Sequence, residues 1–182
     1  LKLFAQGLCG TDVLIQSLPE VANESDERLP RARVEADGRT IALPAIIRRC
    51  PTREENVRLY MVMTAHEAGH LEFGTYRMDL AAVCELGATV GARYRPGACP
   101  SIQALGDLFA LYPQPGLIRD LWTVLEDARV EYRLQHEYPG LRRDLSARAR
   151  EAVQTRSLLH GLSAREMVVD GLLLLSTAGP GT

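Results

Sequence analysis

Residues 66–70 read His66-Glu67-Ala68-Gly69-His70, two histidines four apart with a glutamate directly after the first. On a helix, residues i and i+4 lie one above the other on the same face, about 5–6 Å apart at Cβ. Two imidazoles so placed can share one Zn²⁺ at bonds of about 2.0–2.1 Å. Glu67, rotated by one residue, can take a proton from a metal-bound water and so serve as the catalytic general base. Leu59, Met63, His66, His70 and Phe73 follow one another at intervals of 4, 3, 4 and 3. This predicts that both histidines fall on the apolar stripe of an amphipathic helix and face the interior. The competing reading is a pair of core histidines satisfied by hydrogen bonds.

A zinc site needs a third protein ligand. Leu125-Glu126-Asp127-Ala128-Arg129-Val130-Glu131 sets a charged cluster into an otherwise apolar helix. Solvated charges are normally gathered on one side of a helix. Here Glu126 and Asp127 lie on different sides, while Arg129 and Glu131 flank the apolar stripe. One metal ligand with supporting groups that orient the histidines would account for the cluster. Periodicity does not decide between Glu126 and Asp127. Glu126 is expected to be the ligand because its longer side chain reaches further from a second helix. Asp127, Arg129 and Glu131 then form the supporting shell. The alternative is an exposed ion-pair face shared with Arg133.

These residues need helices to hold them. Apolar spacing in residues 1–18 fits two short helices broken at Gly10, and residues 19–32 read as an exposed loop. Residues 33–44 contain Asp37-Gly38 between two β-prone runs, a hairpin signal in which both turn positions need positive φ. From Asn56 the pattern is helical up to Gly74, and again over 79–94, 101–111, 117–136 and 142–158. The stripe of the 117–136 helix is expected to be Leu117, Ile118, Leu121, Leu125 and Ala128. Ser163-Ala164-Arg165-Glu166 is a capping box that starts a final helix to about Leu175. The predicted fold is mainly α, with one small N-terminal β-hairpin and a helical zincin-like core. Residues 1–32 form an N-terminal segment and 33–182 the domain proper.

Composition bounds the function. The chain has 182 residues, 46% hydrophobic and 24% charged, with a net charge of −2. That is ordinary for a globular domain and lacks the basic excess of a nucleic-acid coat. Aromatics at 5% offer no stacking platform for single strands. The apolar run at Leu172–Leu175 is far short of the roughly 18–20 residues that cross a bilayer. Neither nucleic acid nor membrane is an expected partner. Cys9, Cys50, Cys84 and Cys99 form no C-x-x-C pair and no signal peptide is visible. Buried free thiols in a cytoplasmic protein are expected. Lys2 is the only lysine, and the Arg-rich stretch from Arg142 to Arg156 reads as a solvated helix or a dock for an acidic partner. Trp122, His136 and His160 are expected in packing or surface roles.

With these segments in view, the chain resembles the N-terminal region of NorD/CbbO-type proteins, the nitric-oxide-reductase activation protein and the adaptor subunit of a bacterial Rubisco activase. The resemblance rests on Ala36-Asp37-Gly38-Arg39 through Leu43-Pro44, on Ala65 to His70 with Phe73-Gly74-Thr75, on Leu125 to Glu131, and on Tyr138-Pro139-Gly140-Leu141-Arg142-Arg143-Asp144-Leu145. It implies a cytoplasmic adaptor, chaperone-like in role, that works with a MoxR-type AAA+ ATPase on a target such as Rubisco or a metalloenzyme. The family's C-terminal domain carries D-x-S-x-S, which is absent here; Asp144-Leu145-Ser146-Ala147-Arg148 ends in Arg. No G-x-x-x-x-G-K-[ST] occurs either, so this chain is not the ATPase. The chain is accordingly expected to be the front portion of a larger protein. The alternative to an adaptor is a working zinc metallopeptidase. In it a water held by His66, His70 and Glu126 attacks a peptide carbonyl, with Glu67 as base.

Overall fold

The computed structural model describes residues 1–18, 32–97, 101–156 and 164–177. The protein is mainly α with a small β element. In chain order the elements are α1 (Lys2–Cys9), β1 (Leu14–Leu18), β2 (Arg33–Val34), β3 (Thr40–Pro44), α2 (Arg53–Glu72), α3 (Leu80–Tyr94), α4 (Leu105–Ala110), α5 (Pro115–Glu137), a 3-10 turn (Pro139–Leu141), α6 (Arg142–Arg156) and α7 (Ala164–Thr177). Contacts group these into two units, Leu1–Tyr76 with Val130–Arg148, and Arg77–Arg129 with Ala149–Thr182. The continuous helix α5 contributes to both. The expected loop at 19–31, Cys99, His160 and the Ser163 cap lie outside the described residues.

In the first unit α1 packs on α2, and a three-stranded sheet in the order β1-β3-β2 lies beside them. β2 and β3 are antiparallel, with Val34 opposite Ile41, so the expected hairpin is present. Its turn differs in detail from a two-residue loop. Only Gly38 has positive φ, at 63°, and Asp37 does not. The carboxylate of Asp37 instead closes the loop. It accepts from Thr40 Oγ1 at 2.6 Å and from the backbone N–H groups of Arg39 and Thr40, both at 2.9 Å.

The second expected N-terminal helix is instead the strand β1. Gly10 ends α1 with φ 64°, and the chain then pairs in parallel with β3, Leu14 opposite Thr40. Leu14 and Leu18, four apart, fit a helix turn or a strand equally well, and pairing with a distant strand decides it. β3 is buried along its whole length.

α2 begins with a capping box between Thr52 and Glu55 and ends at Phe73, beyond which Gly74 takes φ 76°. Its C-terminal half is buried almost all round, from Val62 to His70. Ala65 and Ala68 belong to the core formed with α1 and β3, and Val62 to a second cluster with Phe73, Val130, Leu134 and Leu145. Tyr138 ties this assembly together, its hydroxyl donating to the Leu8 carbonyl at 3.0 Å.

Gly69 makes the close passage of α5 over α2 possible. A Cβ placed there would lie 2.8 Å from Val130 Cγ1 and 3.1 Å from Leu134 Cδ1. Both neighbours are fully buried, and Val130 is β-branched, so neither can swing aside.

The α5 stripe also departs from expectation. Val124, Val130 and Leu134 are buried and Leu125 is 53% exposed. Trp122, expected in a packing role, is 40% exposed, with its ring 6.2 Å from that of Phe109. In the second unit Val90, Ile102 and Leu108 form a small core, and Gly87 leaves room for the Ile102 side chain. Of the three described cysteines only Cys9 is buried; Cys84 is exposed, and none forms a disulfide. No helix among the described residues is long and apolar enough to cross a membrane.

Two outcomes follow. Gly69→Ala gains about 1 kcal/mol in helix propensity but overpacks the α2–α5 contact by about 1–3 kcal/mol, so a net loss of about 1 kcal/mol is expected in urea denaturation. Asp37 is the second case. Its hydrogen bonds, that from the Thr40 side chain foremost, hold its pKa below the ordinary value of 3.8. Stability from a carboxylate depressed in this way is complete above the unfolded-state pKa and is lost as pH falls through the folded-state value. Asp37→Asn is therefore expected to be less stable than wild type near neutral pH, the gap closing as pH drops below 3.8.

Candidate metal centre

The two histidines of α2 are presented as a pair. His66 Nε2 and His70 Nε2 lie 3.1 Å apart, with the rings 4.8 Å between centroids and 78° between planes. Two nitrogens bound tetrahedrally to one Zn²⁺ at about 2.05 Å would be about 3.3 Å apart. The observed separation is close to that bite.

The other ring nitrogen of each histidine is engaged by protein. His70 Nδ1 lies 2.9 Å from Thr75 Oγ1, and His66 Nδ1 lies 3.5 Å from a Glu131 carboxylate oxygen. Groups of this kind hold ligating histidines in one tautomer and one ring orientation, with Nε2 directed at the metal. Thr75 was not singled out by spacing. Its role arises from the turn after α2, and the signal available was only its place in Phe73-Gly74-Thr75. The Tyr76 ring follows, 6.3 Å from that of His70.

The acidic segment of α5 brings a carboxylate close to the histidine pair. Asp127 stands one turn ahead of Glu131 on the same continuous helix, and i and i+4 share a face. One ligand atom from each of His66, His70 and Asp127 lie within 4.8 Å of one another. Glu126, the ligand expected for its longer reach, is held differently. Arg129 Nε donates to Glu126 Oε2 at 2.8 Å and Arg129 Nη2 to Oε1 at 2.6 Å, a bidentate pair on one helix. This bonding raises the Arg129 pKa further above its ordinary value, against the opposing effect of burial. Asp127, expected in the supporting shell, is thus the carboxylate that stands with the two histidines, and Glu126 is paired with Arg129.

Glu67 is 8% exposed and His70 7%. A buried carboxylate beside the ligand pair suits a base acting on metal-bound water, since proton transfer needs a group held within reach. Glu67, Asp127 and Glu131 set three carboxyl groups near the two imidazoles, while Glu126 is paired with Arg129. Such a set of groups favours a divalent cation. Two histidines and a carboxylate suit zinc and equally suit Fe, Mn or Co. Among the remaining histidines, His136 stacks on Tyr132, with 6.2 Å between ring centroids, as a helix-surface pair.

No family model matches the chain, and neither does any curated protein or solved structure. What the fold and site define is a mainly α protein whose H-E-x-x-H helix packs against an acidic helix.

The two α5 acids are separable by substitution. Asp127→Asn is expected to weaken Zn²⁺ binding beyond the roughly 10- to 100-fold typical of an outer group, measured by competition with a chromogenic chelator. Glu126→Gln is expected to leave that affinity within a few-fold. Its effect falls on stability, about 1 kcal/mol, because the paired Arg129 side chain is 38% exposed. The opposite pattern would make Glu126 the ligand.

Proposed function

We propose that this chain is a metal-binding adaptor domain of the NorD/CbbO kind, carrying one divalent ion, zinc by preference, on His66, His70 and Asp127. The observation that carries the metal reading is the pair of Nε2 atoms 3.1 Å apart, each with its Nδ1 engaged and a third donor at hand. The adaptor reading rests on the four family-like stretches, which span most of residues 36–145. Its partners are a MoxR-type AAA+ ATPase and a target enzyme of the Rubisco or nitric-oxide-reductase type, in the cytoplasm. When bound, the ion supplies Lewis acidity and a cross-link between α2 and α5. The residues themselves orient it: Glu131 steadies His66, and the Glu126–Arg129 pair satisfies a buried carboxylate that would otherwise compete for the metal.

A second reading is favoured by one residue. A scaffold has no physical need for a general base beside the histidines, and Glu67 is a buried carboxylate at the place where such a base would stand. In a zinc metallopeptidase Glu67 would take the proton of a bound water and pass it to the leaving amine.

Glu67→Gln separates the two. Metal content by elemental analysis is expected to stay at the wild-type level, since Glu67 is outside the ligand trio. With metal retained, an adaptor is expected to stimulate the ATPase and restore its target as wild type does. A loss of more than about 100-fold in cleavage or activation, metal still bound, would assign general-base catalysis and favour the peptidase.

A further inference from the structure

The geometry points to Thr75 as the positioning residue that sets His70 for the metal, an inference that rests on the metal reading above. The two histidines are held by different means. His66 is steadied by Glu131 on α5, so its restraint is tertiary and depends on helix packing. His70 is steadied from within its own helix end. Gly74, with φ 76°, turns the chain back immediately after α2. This left-handed conformation is one that side chains with a Cβ rarely adopt. The turn brings Thr75 to His70 twice. Its backbone N–H donates to the His70 carbonyl at 3.0 Å, and its hydroxyl oxygen lies 2.9 Å from His70 Nδ1.

The first of these bonds fixes where the Thr75 side chain can go; the second uses it. The contact admits either direction; in the metal-bound form that we propose, Thr75 Oγ1 accepts from Nδ1–H, which leaves the lone pair on Nε2, the atom that faces His66 Nε2. A hydroxyl is also a weaker acceptor than the carboxylate that steadies His66. The two histidines are thus steadied by chemically different partners, a carboxylate on α5 and a hydroxyl on the turn after α2.

The test compares Thr75→Val, which keeps the shape and removes the hydroxyl, with Thr75→Ser, which keeps the hydroxyl. Zn²⁺ affinity is measured by chelator competition, and the ligand field by the visible spectrum of the Co²⁺-loaded protein. The His70 tautomer is read from imidazole ¹⁵N shifts without metal. Thr75→Val is expected to bind Zn²⁺ about 10- to 100-fold more weakly, with an altered Co²⁺ spectrum and a mixed His70 tautomer. Thr75→Ser is expected to restore all three. Wild-type affinity and spectrum in Thr75→Val would overturn the inference, and so would equal weakening in both variants. If Thr75→Val fails to fold, the tautomer and affinity of Thr75→Ser decide: departure from wild type overturns the hydroxyl's role, and agreement supports it. Wild-type protein that binds neither Zn²⁺ nor Co²⁺ removes the metal reading itself, a result distinct from any difference between the variants.

Discussion

The close passage of α5 over α2 at Gly69 is the contact on which the site depends. With no Cβ at that position, Val130 and Leu134 settle directly on the α2 backbone, and both are fully buried. Burying side chains of this kind stabilises by about 1.5–3 kcal/mol each. Gly69 is at once the fourth residue of the histidine motif and the point of nearest approach. The histidines that flank it are thereby brought under the acidic face of α5, and Glu131 reaches His66 at 3.5 Å. The stretch that supplies the ligands also supplies the packing that presents them.

That packing carries an electrostatic burden. Glu67, His70 and Glu126 are all buried, and burying polar or charged groups is costly unless each finds a partner. Two of the solutions are visible: Arg129 grips both oxygens of Glu126, and Thr75 meets His70. The Arg129 arrangement is local to one helix turn and forms whatever the neighbouring helix does. It therefore engages both oxygens of the longer carboxylate on its own helix. Glu126 is longer, but its length is spent on its own helix.

The legible and illegible parts of the sequence divide along the same physical line. Local signals were readable: Gly74 marked the end of α2, and Asp37-Gly38 marked the hairpin. The histidine pair was readable because i, i+4 spacing is a property of one helix. What depended on distant partners was not. β1 is a strand only because β3, some 26 residues on, pairs with it in parallel. The α5 stripe was misplaced at Leu125 because periodicity assumes that apolar residues turn inward. Here the helix turns acids inward at Glu126 and leaves Leu125 out. A face that buries acids inverts the usual rule, and the inversion was visible in advance only as a charged cluster in an apolar run.

The helix pair does not need an ion to exist. The α2–α5 contact is made by Gly69, Val130 and Leu134, and the second core cluster adds Val62, Phe73 and Leu145. A metal bound to His66, His70 and Asp127 would thus be added to a preformed site, unlike the ion of a small finger domain, whose binding energy is its folding energy. The gain from binding then appears as mass-action stabilisation of a fold already present. It also follows that the fold tolerates loss of the metal better than loss of the glycine. The 66–70 stretch thus superimposes two features: histidines on one helix face at its ends, and between them a glycine over which α5 passes.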